Sequence, residues 1–190
     1  MSTNKPKLII LFSGKRKAGK DFIAAALLAK LGESVAEIIR ISEPIKKHWA
    51  KKMELSVEEL LGCGPLKEQH RKDMIVWSDK VRAQMPTFFC LDAFKSAKKP
   101  ITIVSDVRRR TDMDYFTSLN IPVLAVRINA SDEERTKRGF VFTEGIDDVA
   151  SECDLDDFDD WDFVINNDVE SNADSIFQNI MIYVENVLKT

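Results

Sequence analysis

Continuous apolar runs of strand length alternate along the chain with segments whose apolar residues recur at helical spacing. The run at 7–12 suits a strand buried on both faces of a sheet, and 21–31 places apolar side chains on one side of a helix. The same reasoning predicts further strands at 35–41, 101–105, 123–128 and 162–166. It predicts helices at 57–61, 67–83, 131–139 and 147–153. The chain ends with a predicted helix whose apolar stripe comprises Ile176, Ile180, Val184 and Val187. This alternation indicates an α/β fold, a three-layer sandwich with a five-stranded parallel sheet.

The predicted strands describe a single domain with two additions. The core comprises 1–41, 100–130 and 160–190, whereas 42–99 is too long for one crossover and predicts a helical insertion, and about 131–150 predicts a lid. In parallel sheets, ligands bind beyond the carboxyl ends of the strands. We therefore expect one rim of the sheet to gather the residues that follow the strands, namely Gly14, Ser42, Asp106, Asn129 and Asn167.

Charge is distributed unevenly along the chain, although the net charge is only −3. Residues 1–110 hold 23 Lys and Arg against 12 Asp and Glu, and residues 111–190 hold 5 against 19. A basic half can bind nucleic acid, gather the phosphates of a small ligand, or be a solvated surface without function. The glycine-rich motif near the amino terminus favours the second interpretation.

Cysteines and histidines are too few and too scattered to indicate a disulfide framework or a zinc site. Cys63, Cys90 and Cys153 lack a C-x-x-C pattern, and the only histidines are His48 and His70. No apolar run approaches the roughly 20 residues that span a bilayer, and no signal-peptide core or peroxisomal tripeptide is present. We therefore expect a cytosolic protein without a membrane partner. Because no coiled-coil seam is present, we also expect a monomer.

A glycine-rich loop lies between the first predicted strand and the first predicted helix. Glycines let such a loop wrap closely around phosphates, and the helix amino terminus adds partial positive charge. Lys20 would bridge the two outer phosphates of ATP. The alternative, a glycine turn with a solvated lysine, leaves four crowded cations unexplained, so a polyphosphate ligand is favoured. The loop fits G-x-x-x-x-G-K with Gly14, Lys15, Arg16, Lys17, Ala18, Gly19 and Lys20.

Two acidic residues are candidate ligands for Mg²⁺. Asp21 follows Lys20 directly, where the common motif has the Ser or Thr that binds the metal. Asp106 follows the third predicted strand, and carboxylates are good Mg²⁺ ligands. Each residue also has a plainer interpretation, because Asp21 could stabilise the first turn of its helix and Asp106 could be a turn residue.

Further cations predict contacts with a second, anionic ligand. Arg108 and Arg109 follow Asp106 directly, and guanidinium groups bind phosphate or carboxylate in a bidentate manner. Arg135 and Arg138 share one face of a predicted helix, as in a lid that lowers arginines onto ATP; exposed surface arginines are the alternative. The insertion would clasp the acceptor with some of its own cations, Lys46, Lys67, Arg71, Lys72, Lys80 and Arg82.

No obvious catalytic base accompanies these cations. A phosphate monoester loses its second proton with a pKa of about 6, so a phosphorylated acceptor needs alignment and charge neutralisation rather than deprotonation. The pattern therefore predicts a small-molecule kinase with a phosphorylated acceptor. A nucleoside monophosphate kinase of the same fold is one alternative. A nucleic-acid-binding module is another, although it requires interleaved aromatic residues and Phe88 and Phe89 are the only aromatic pair near the basic half.

The chain resembles the animal-type phosphomevalonate kinase family nearly from end to end. The most specific matches are Ser-Gly-Lys-Arg-Lys at 13–17 and Arg-Lys-Asp-Met-Ile at 71–75, and the aspartate after Lys20 is itself a family feature. Shorter matches lie at 104–106, 108–109, 138–143, 151–153 and 164–165. The resemblance implies a P-loop fold like that of the nucleoside monophosphate kinases, and reversible phosphorylation of 5-phosphomevalonate by ATP with Mg²⁺ in isoprenoid synthesis.

The resemblance also implies how the site residues divide between the two ligands. Residues 15–21 and Arg138 would bind ATP, with Asp168 near the nucleotide, where the family has histidine instead. Catalysis would depend on Arg16, Lys17, Lys20 and Arg138. The phosphomevalonate would contact Lys46, Arg71, Arg82, Arg108, Arg109 and Asn167.

Overall fold

Five parallel strands form one sheet in the computed structural model, which describes residues 5–61 and 65–189. Each predicted strand is present, with ends that differ from the prediction by one or two residues. The strands are β1 Leu8–Ser13, β2 Ala36–Ile39, β3 Ile101–Val107, β4 Val123–Asn129 and β5 Phe163–Asn166. Their order is β2-β3-β1-β4-β5, and every pairing is parallel, which confirms the predicted α/β class.

The first strand lies at the centre of this sheet because it is apolar throughout. β1 pairs with β3 on one side and with β4 on the other, and all six of its residues are buried. Leu8, Ile10 and Phe12 enter the core on one face, and Ile9 and Leu11 enter the core on the other. An apolar run without alternation is what burial on both faces requires.

Helices cover both faces of the sheet and complete three layers. Ile23 and Ile180 pack in the core on one face, and Phe89 and Phe116 pack in the core on the other. The helices are α1 Lys20–Leu31, α2 Ser42–Met53, α3 Val57–Leu61, α4 Pro65–Gln84, α5 Phe88–Phe94, α6 Arg110–Thr117, α7 Asp132–Lys137, α8 Ala150–Cys153 and α9 Ala173–Lys189. The described residues contain no helix long and apolar enough to cross a membrane.

Helices α2 to α5 fill the long span between β2 and β3. The predictions at 57–61 and 67–83 correspond to α3 and to most of α4. Trp49, Ala50, Leu60 and Met74 form a small apolar cluster of their own, which packs α2, α3 and α4 together. Cys63 lies outside the described residues.

The carboxyl ends of the strands lie along one rim, and hydrogen bonds connect several of the residues expected there. The Asp106 carboxylate accepts a hydrogen bond from the backbone N–H of Ser42 at 3.0 Å. The backbone N–H of Asn167 donates to the carbonyl oxygen of Asn129 at 2.8 Å. Gly14 follows the central strand and packs so closely on β4 that a side chain there would collide with the carbonyl oxygen of Ile128.

Candidate active site

The phosphate loop, residues 14–21, follows β1 and includes the first two residues of α1. It needs glycine at two positions. Gly14 has a φ of 153° and Gly19 has a φ of 94°, and both values lie in a region that favours glycine. A Cβ atom at Gly19 would also collide with the side-chain nitrogen of Asn167. The two glycines therefore let the loop backbone lie close to β4 and to Asn167. Helix α1 begins directly after Gly19, at Lys20.

Lys20 folds back over the phosphate loop and is almost completely buried. Its Nζ donates to the carbonyl oxygens of Gly14 at 2.5 Å and Lys15 at 2.9 Å. Burial, aided by the charge of Arg108, lowers the pKa of Lys20 to about 7 from an ordinary value of 10.5. An anionic ligand at this position would favour the charged form, so the site is electrostatically prepared for phosphate.

Three side chains, one that follows β5 and two from the α7 segment, donate hydrogen bonds to backbone carbonyl groups of the phosphate loop. The side-chain amide of Asn167 donates to the carbonyl oxygen of Ala18 at 2.9 Å, and Arg138 donates to the same oxygen at 3.2 Å. Arg138 also donates to the carbonyl oxygen of Asn167 at 2.5 Å. Arg135 donates to the carbonyl oxygen of Arg16 at 2.9 Å. The loop is thereby connected to β5 and to α7.

The α7 segment presents Arg135 and Arg138 towards the phosphate loop, as their spacing predicts. Ser131 caps the helix by accepting a hydrogen bond from the backbone N–H of Glu134, and the guanidinium of Arg135 lies 3.9 Å from the centre of the Phe140 ring. Asp168 accepts hydrogen bonds from the backbone N–H and the hydroxyl of Ser131. The structure therefore places Asp168 at the start of α7, and its contact with the nucleotide stays a prediction.

A cavity of about 690 Å³ opens beside the phosphate loop and is strongly basic. Five acidic residues line it, Asp21, Glu68, Asp106, Asp112 and Glu152. Eleven basic residues line it, Arg16, Lys17, Lys20, Arg40, Lys46, Lys67, Arg71, Arg82, Arg108, Arg109 and Arg138. An excess of cations around one cavity favours a ligand, or a pair of ligands, with several negative charges.

Most of the site residues predicted from the sequence meet in this cavity. Gly19 and Asp21 line it together with the basic residues predicted for both ligands. The remaining predicted site residues do not line the cavity, namely Gly14, Lys15, Ala18, Arg135, Asn167 and Asp168. Lys15 in particular turns away, since its Nζ lies 2.5 Å from a carboxylate oxygen of Asp156.

Carboxylates hold the arginines of the cavity wall in place. Arg82 contacts Asp112 at 2.6 Å, and Asp112 is almost completely buried. Arg109 pairs with Asp79, and Arg71 contacts Glu68 at 2.6 Å. The second oxygen of Asp112 accepts hydrogen bonds from the backbone N–H groups of Arg108 and Arg109. A guanidinium whose orientation is already set loses less entropy when it binds an anion.

Lys46 brings another buried ammonium group to the cavity from α2. Burial lowers the pKa of Lys46 to about 8, and the charge of Lys67 acts in the same direction. A negatively charged ligand beside Lys46 would oppose this lowering of its pKa and favour the charged ammonium form.

The two candidate ligands for Mg²⁺ lie on the cavity with different surroundings. The carboxylate of Asp21 is largely exposed and lies 3.5 Å from Arg40. The carboxylate of Asp106 accepts hydrogen bonds from the backbone N–H groups of Ile41 and Ser42, at 2.7 and 3.0 Å. Within the described parts of the chain no three His, Cys, Asp or Glu side chains form a metal cage. This donor set fits Mg²⁺, which proteins bind through one or two carboxylates, water and substrate phosphates.

Sequence reasoning assigned no role to several residues of the cavity. Glu152, Ser151 and Arg40 line it, and Asp147 pairs with Arg16 at 3.4 Å. Glu152 lies in a segment that matched the family pattern, but that match did not indicate a contact. Glu152 and Asp147 come from an acidic stretch that is more than 100 residues from the phosphate loop, so only the folded chain brings them together.

Comparison with known proteins identifies the family to which this site belongs. The sequence profile described as phosphomevalonate kinase matches residues 12–122. A phosphomevalonate kinase from Drosophila melanogaster is 50% identical over 175 residues, which cover 88% of this chain and 92% of that protein. The chain belongs to the phosphomevalonate kinase family. Membership confirms the resemblance read from the sequence and makes the chain a kinase.

Solved structures agree with this membership at the level of the fold. The crystal structure of TT1252 from Thermus thermophilus has a TM-score of 0.52 and 17% identity, and the match covers 95% of this chain and 98% of that one. A gluconokinase from Sinorhizobium meliloti 1021 has a TM-score of 0.50 and 12% identity, with coverage of 97% and 95%. Family and fold together make this chain a P-loop kinase.

Proposed function

We propose that the chain transfers the terminal phosphoryl group of ATP to 5-phosphomevalonate, and that it forms 5-diphosphomevalonate and ADP. The observation that carries this proposal is the basic cavity of about 690 Å³, whose lining includes Lys20 of the phosphate loop and the arginines after β3. A family relative that is 50% identical and is named phosphomevalonate kinase supports the choice of acceptor.

The phosphate loop would bind the donor. Residues 15–21, at the amino terminus of α1, would hold the phosphates of ATP through backbone N–H groups other than that of Arg16, which donates to Glu152. Lys20 would neutralise charge that develops between the β- and γ-phosphates, and Arg16, Lys17 and Arg138 would surround the transferring group. Arg135 stacks on Phe140 and donates to the carbonyl oxygen of Arg16, so it would steady the loop from behind.

The part of the cavity wall formed by α2, α4 and the residues after β3 would bind the acceptor, which carries a phosphate at one end and a carboxylate at the other. Arg108 and Arg109 stand at the end of β3, beside Lys46 from α2. Arg71 and Arg82 enter the cavity from α4. Guanidinium groups suit both ends of such a molecule because they bind either anion in a bidentate manner. Asn167 would contribute from behind the phosphate loop.

Mg²⁺ would be held by Asp21 and Asp106, directly or through water, together with oxygens of the bound phosphates. When bound, the ion would neutralise phosphate charge and help to orient the transferring group. The exposed carboxylate of Asp21 is free to turn towards a ligand, whereas the backbone contacts of Asp106 keep it in a fixed orientation.

The reaction would need no base from the protein. An oxygen of the acceptor phosphate, already ionised at neutral pH, would form the new bond to the γ-phosphorus, and the bond to the β-phosphate oxygen of ADP would break. The side chains of the cavity would align the two phosphates and neutralise their repulsion. Such alignment is a large catalytic effect by itself.

An acceptor panel with purified protein and Mg·ATP tests the proposal. We expect ADP formation with 5-phosphomevalonate, and a new diphosphate signal by phosphorus NMR. Parallel reactions contain AMP, UMP, dTMP or no acceptor. Turnover of a nucleoside monophosphate without turnover of 5-phosphomevalonate would instead establish the nucleotide kinase alternative. For the metal site, calorimetry should show that Asp21→Asn binds ADP with less dependence on Mg²⁺ than the wild type.

We further propose that the protein is a cytosolic monomer. Cys90 and Cys153 are free thiols, as is common in reducing compartments. The apolar stripe of α9 packs on the sheet through Phe177, Ile180 and Val184, so the protein itself uses this stripe. Light scattering of the purified protein tests the monomer, and cell fractionation tests the compartment.

A further inference from the structure

Glu152 is a buried carboxylate in the cavity wall, and the roles proposed above do not account for it. Its side chain is only 5% exposed. The oxygen Oε2 accepts a hydrogen bond of 2.9 Å from the backbone N–H of Arg16, in the phosphate loop. The oxygen Oε1 pairs with Nη1 of Arg108. One carboxylate therefore contacts both the loop assigned to ATP and an arginine assigned to the acceptor.

We propose that Glu152 is a positioning residue for phosphoryl transfer, which sets the placement of Arg108 relative to the phosphate loop. This inference rests on the proposed function of the cavity. The two contacts of Glu152 form a bridge from the donor loop to the acceptor wall. If the phosphate loop and Arg108 moved apart, Glu152 would lose its hydrogen bond to Arg16 or its ion pair with Arg108. The bridge therefore restricts the distance between the phosphate loop and Arg108.

The α8 segment around Glu152 is anchored well enough to act as a bridge. The backbone N–H groups of Glu152 and Cys153 donate to the carbonyl oxygen of Val149, and the carbonyl oxygen of Ser151 accepts a hydrogen bond of 3.1 Å from Arg108. Arg108 is thus held by a carboxylate and by a neighbouring carbonyl group. Such double contact fixes a planar guanidinium more strictly than one ion pair does.

Charge gives a second reason for a carboxylate at this position. Lys20 and Arg108 are close enough to repel each other, and Glu152 is close enough to Lys20 to oppose that repulsion. Repulsion between two cations in a ligand-free site favours their separation, and a nearby anion offsets part of it. Glu152 contacts Arg108 directly and offsets part of its repulsion with Lys20.

The test compares Glu152→Gln with the wild type in steady-state assays on 5-phosphomevalonate. Glutamine keeps the shape of the side chain and can accept the hydrogen bond from Arg16, so we expect normal folding in thermal unfolding experiments. A misplaced Arg108 should lower kcat by about 10- to 100-fold. Because Arg108 remains present and charged, KM for 5-phosphomevalonate should change by less than about threefold.

Asp157→Asn is the matched control. Asp157 lies outside the cavity, its side chain is 82% exposed, and it pairs with Arg110. We expect wild-type kinetics from this variant. Glu152→Asp is the second test variant, since it keeps the charge but is too short to reach both partners. Glu152→Asp should also lose kcat, and full activity of this variant would contradict the bridge.

A double-mutant cycle separates positioning from a general structural role. If Glu152 acts through Arg108, adding Glu152→Gln to an Arg108→Gln variant should lower kcat by less than about twofold further. If the two substitutions lowered kcat additively, the proposal would be overturned. It would also be overturned if Glu152→Gln lowered the KM for ATP and left kcat unchanged, since that result would mean that Glu152 competes with phosphate. Wild-type protein that fails to phosphorylate 5-phosphomevalonate would instead overturn the proposed function. An active wild type with an unaffected Glu152→Gln variant would overturn only the role of Glu152.

Discussion

The side-chain amide of Asn167 donates a hydrogen bond of 2.9 Å to the carbonyl oxygen of Ala18. This bond connects the end of β5 to the phosphate loop, and both residues are buried. Arg138, which is partly exposed, donates to the carbonyl oxygens of both residues, so the three groups form one hydrogen-bond network. The family resemblance implies that Asn167 contacts the acceptor. The structure places it behind the donor loop, and its contact with 5-phosphomevalonate stays a prediction.

Asn167→Ala should therefore disturb the donor side of the site. Removing the amide leaves the Ala18 carbonyl with one partner fewer, and the free energy of unfolding should fall by about 1–3 kcal/mol in urea titrations. KM for ATP should rise more than KM for 5-phosphomevalonate. Asn166→Ala is the control, because Asn166 is exposed. An increase confined to the KM of the acceptor would contradict a role behind the phosphate loop.

Gly19→Ala should prevent normal ATP binding. A side chain at Gly19 faces both an unfavourable φ of 94° and a collision with Asn167, whose amide is already hydrogen bonded. The expected result is a large loss of ATP affinity, measured by calorimetry. Gly32→Ala is a matched control, since Gly32 has a φ of 87° but its nearest neighbour, the Ser34 hydroxyl oxygen, is 3.9 Å away. Gly32→Ala should lose about 1–2 kcal/mol of stability from the unfavourable φ alone, whereas Gly19→Ala should lose more than Gly32→Ala and should also lose ATP binding.

Lys20→Met should fold normally and lose most of its rate. Methionine keeps most of the length of the side chain and removes a buried charge, and this gain offsets the loss of the two Nζ hydrogen bonds, so ligand-free stability should change little. The lost electrostatic stabilisation should lower kcat by about 100- to 1,000-fold in single-turnover assays. Lys30→Met is the control on the same helix, where Lys30 is half exposed and pairs with Asp174. Near-wild-type turnover of Lys20→Met would remove Lys20 from the mechanism.

Lys46 should make the stability of the ligand-free protein depend on pH. Its pKa is about 8 in the folded protein and near 10.5 when unfolded, so below pH 8 both states are protonated and the fold bears the full cost of burying the charge. Between these values only the unfolded state holds the proton, and the free energy of unfolding therefore rises with pH. Lys46→Met should be more stable than the wild type by on the order of 1–3 kcal/mol at pH 7.

The measurement for Lys46 is urea unfolding of wild type and variant at several pH values. The difference between them should shrink as the pH rises from 8 towards 10. Lys47→Met is the neighbouring control, because Lys47 is 60% exposed and pairs with Glu43. A difference that stays constant with pH would show that Lys46 keeps an ordinary pKa.

Local patterns made much of the fold predictable. The apolar run of β1 predicts a strand that is buried on both faces of the sheet. The glycines of the phosphate loop predict a tight loop, because glycine adopts positive φ values readily. Helix α6, Arg110–Thr117, has no counterpart among the predicted helices. Asp112, in its first turn, contacts Arg82 thirty residues earlier in the chain, and no local pattern indicates that contact.

The sequence by itself determined the fold class, the phosphate loop and the family, because each depends on residues that are close together or on motifs that a relative shares. Only the tertiary structure decided which side chains meet at the cavity. Carboxylates from distant segments, Glu152 and Asp112, orient the arginines there. The Asn167–Ala18 hydrogen bond joins residues 149 positions apart. Such contacts arise from the order of the strands in the sheet and the packing of the helices, which spacing along the chain does not specify.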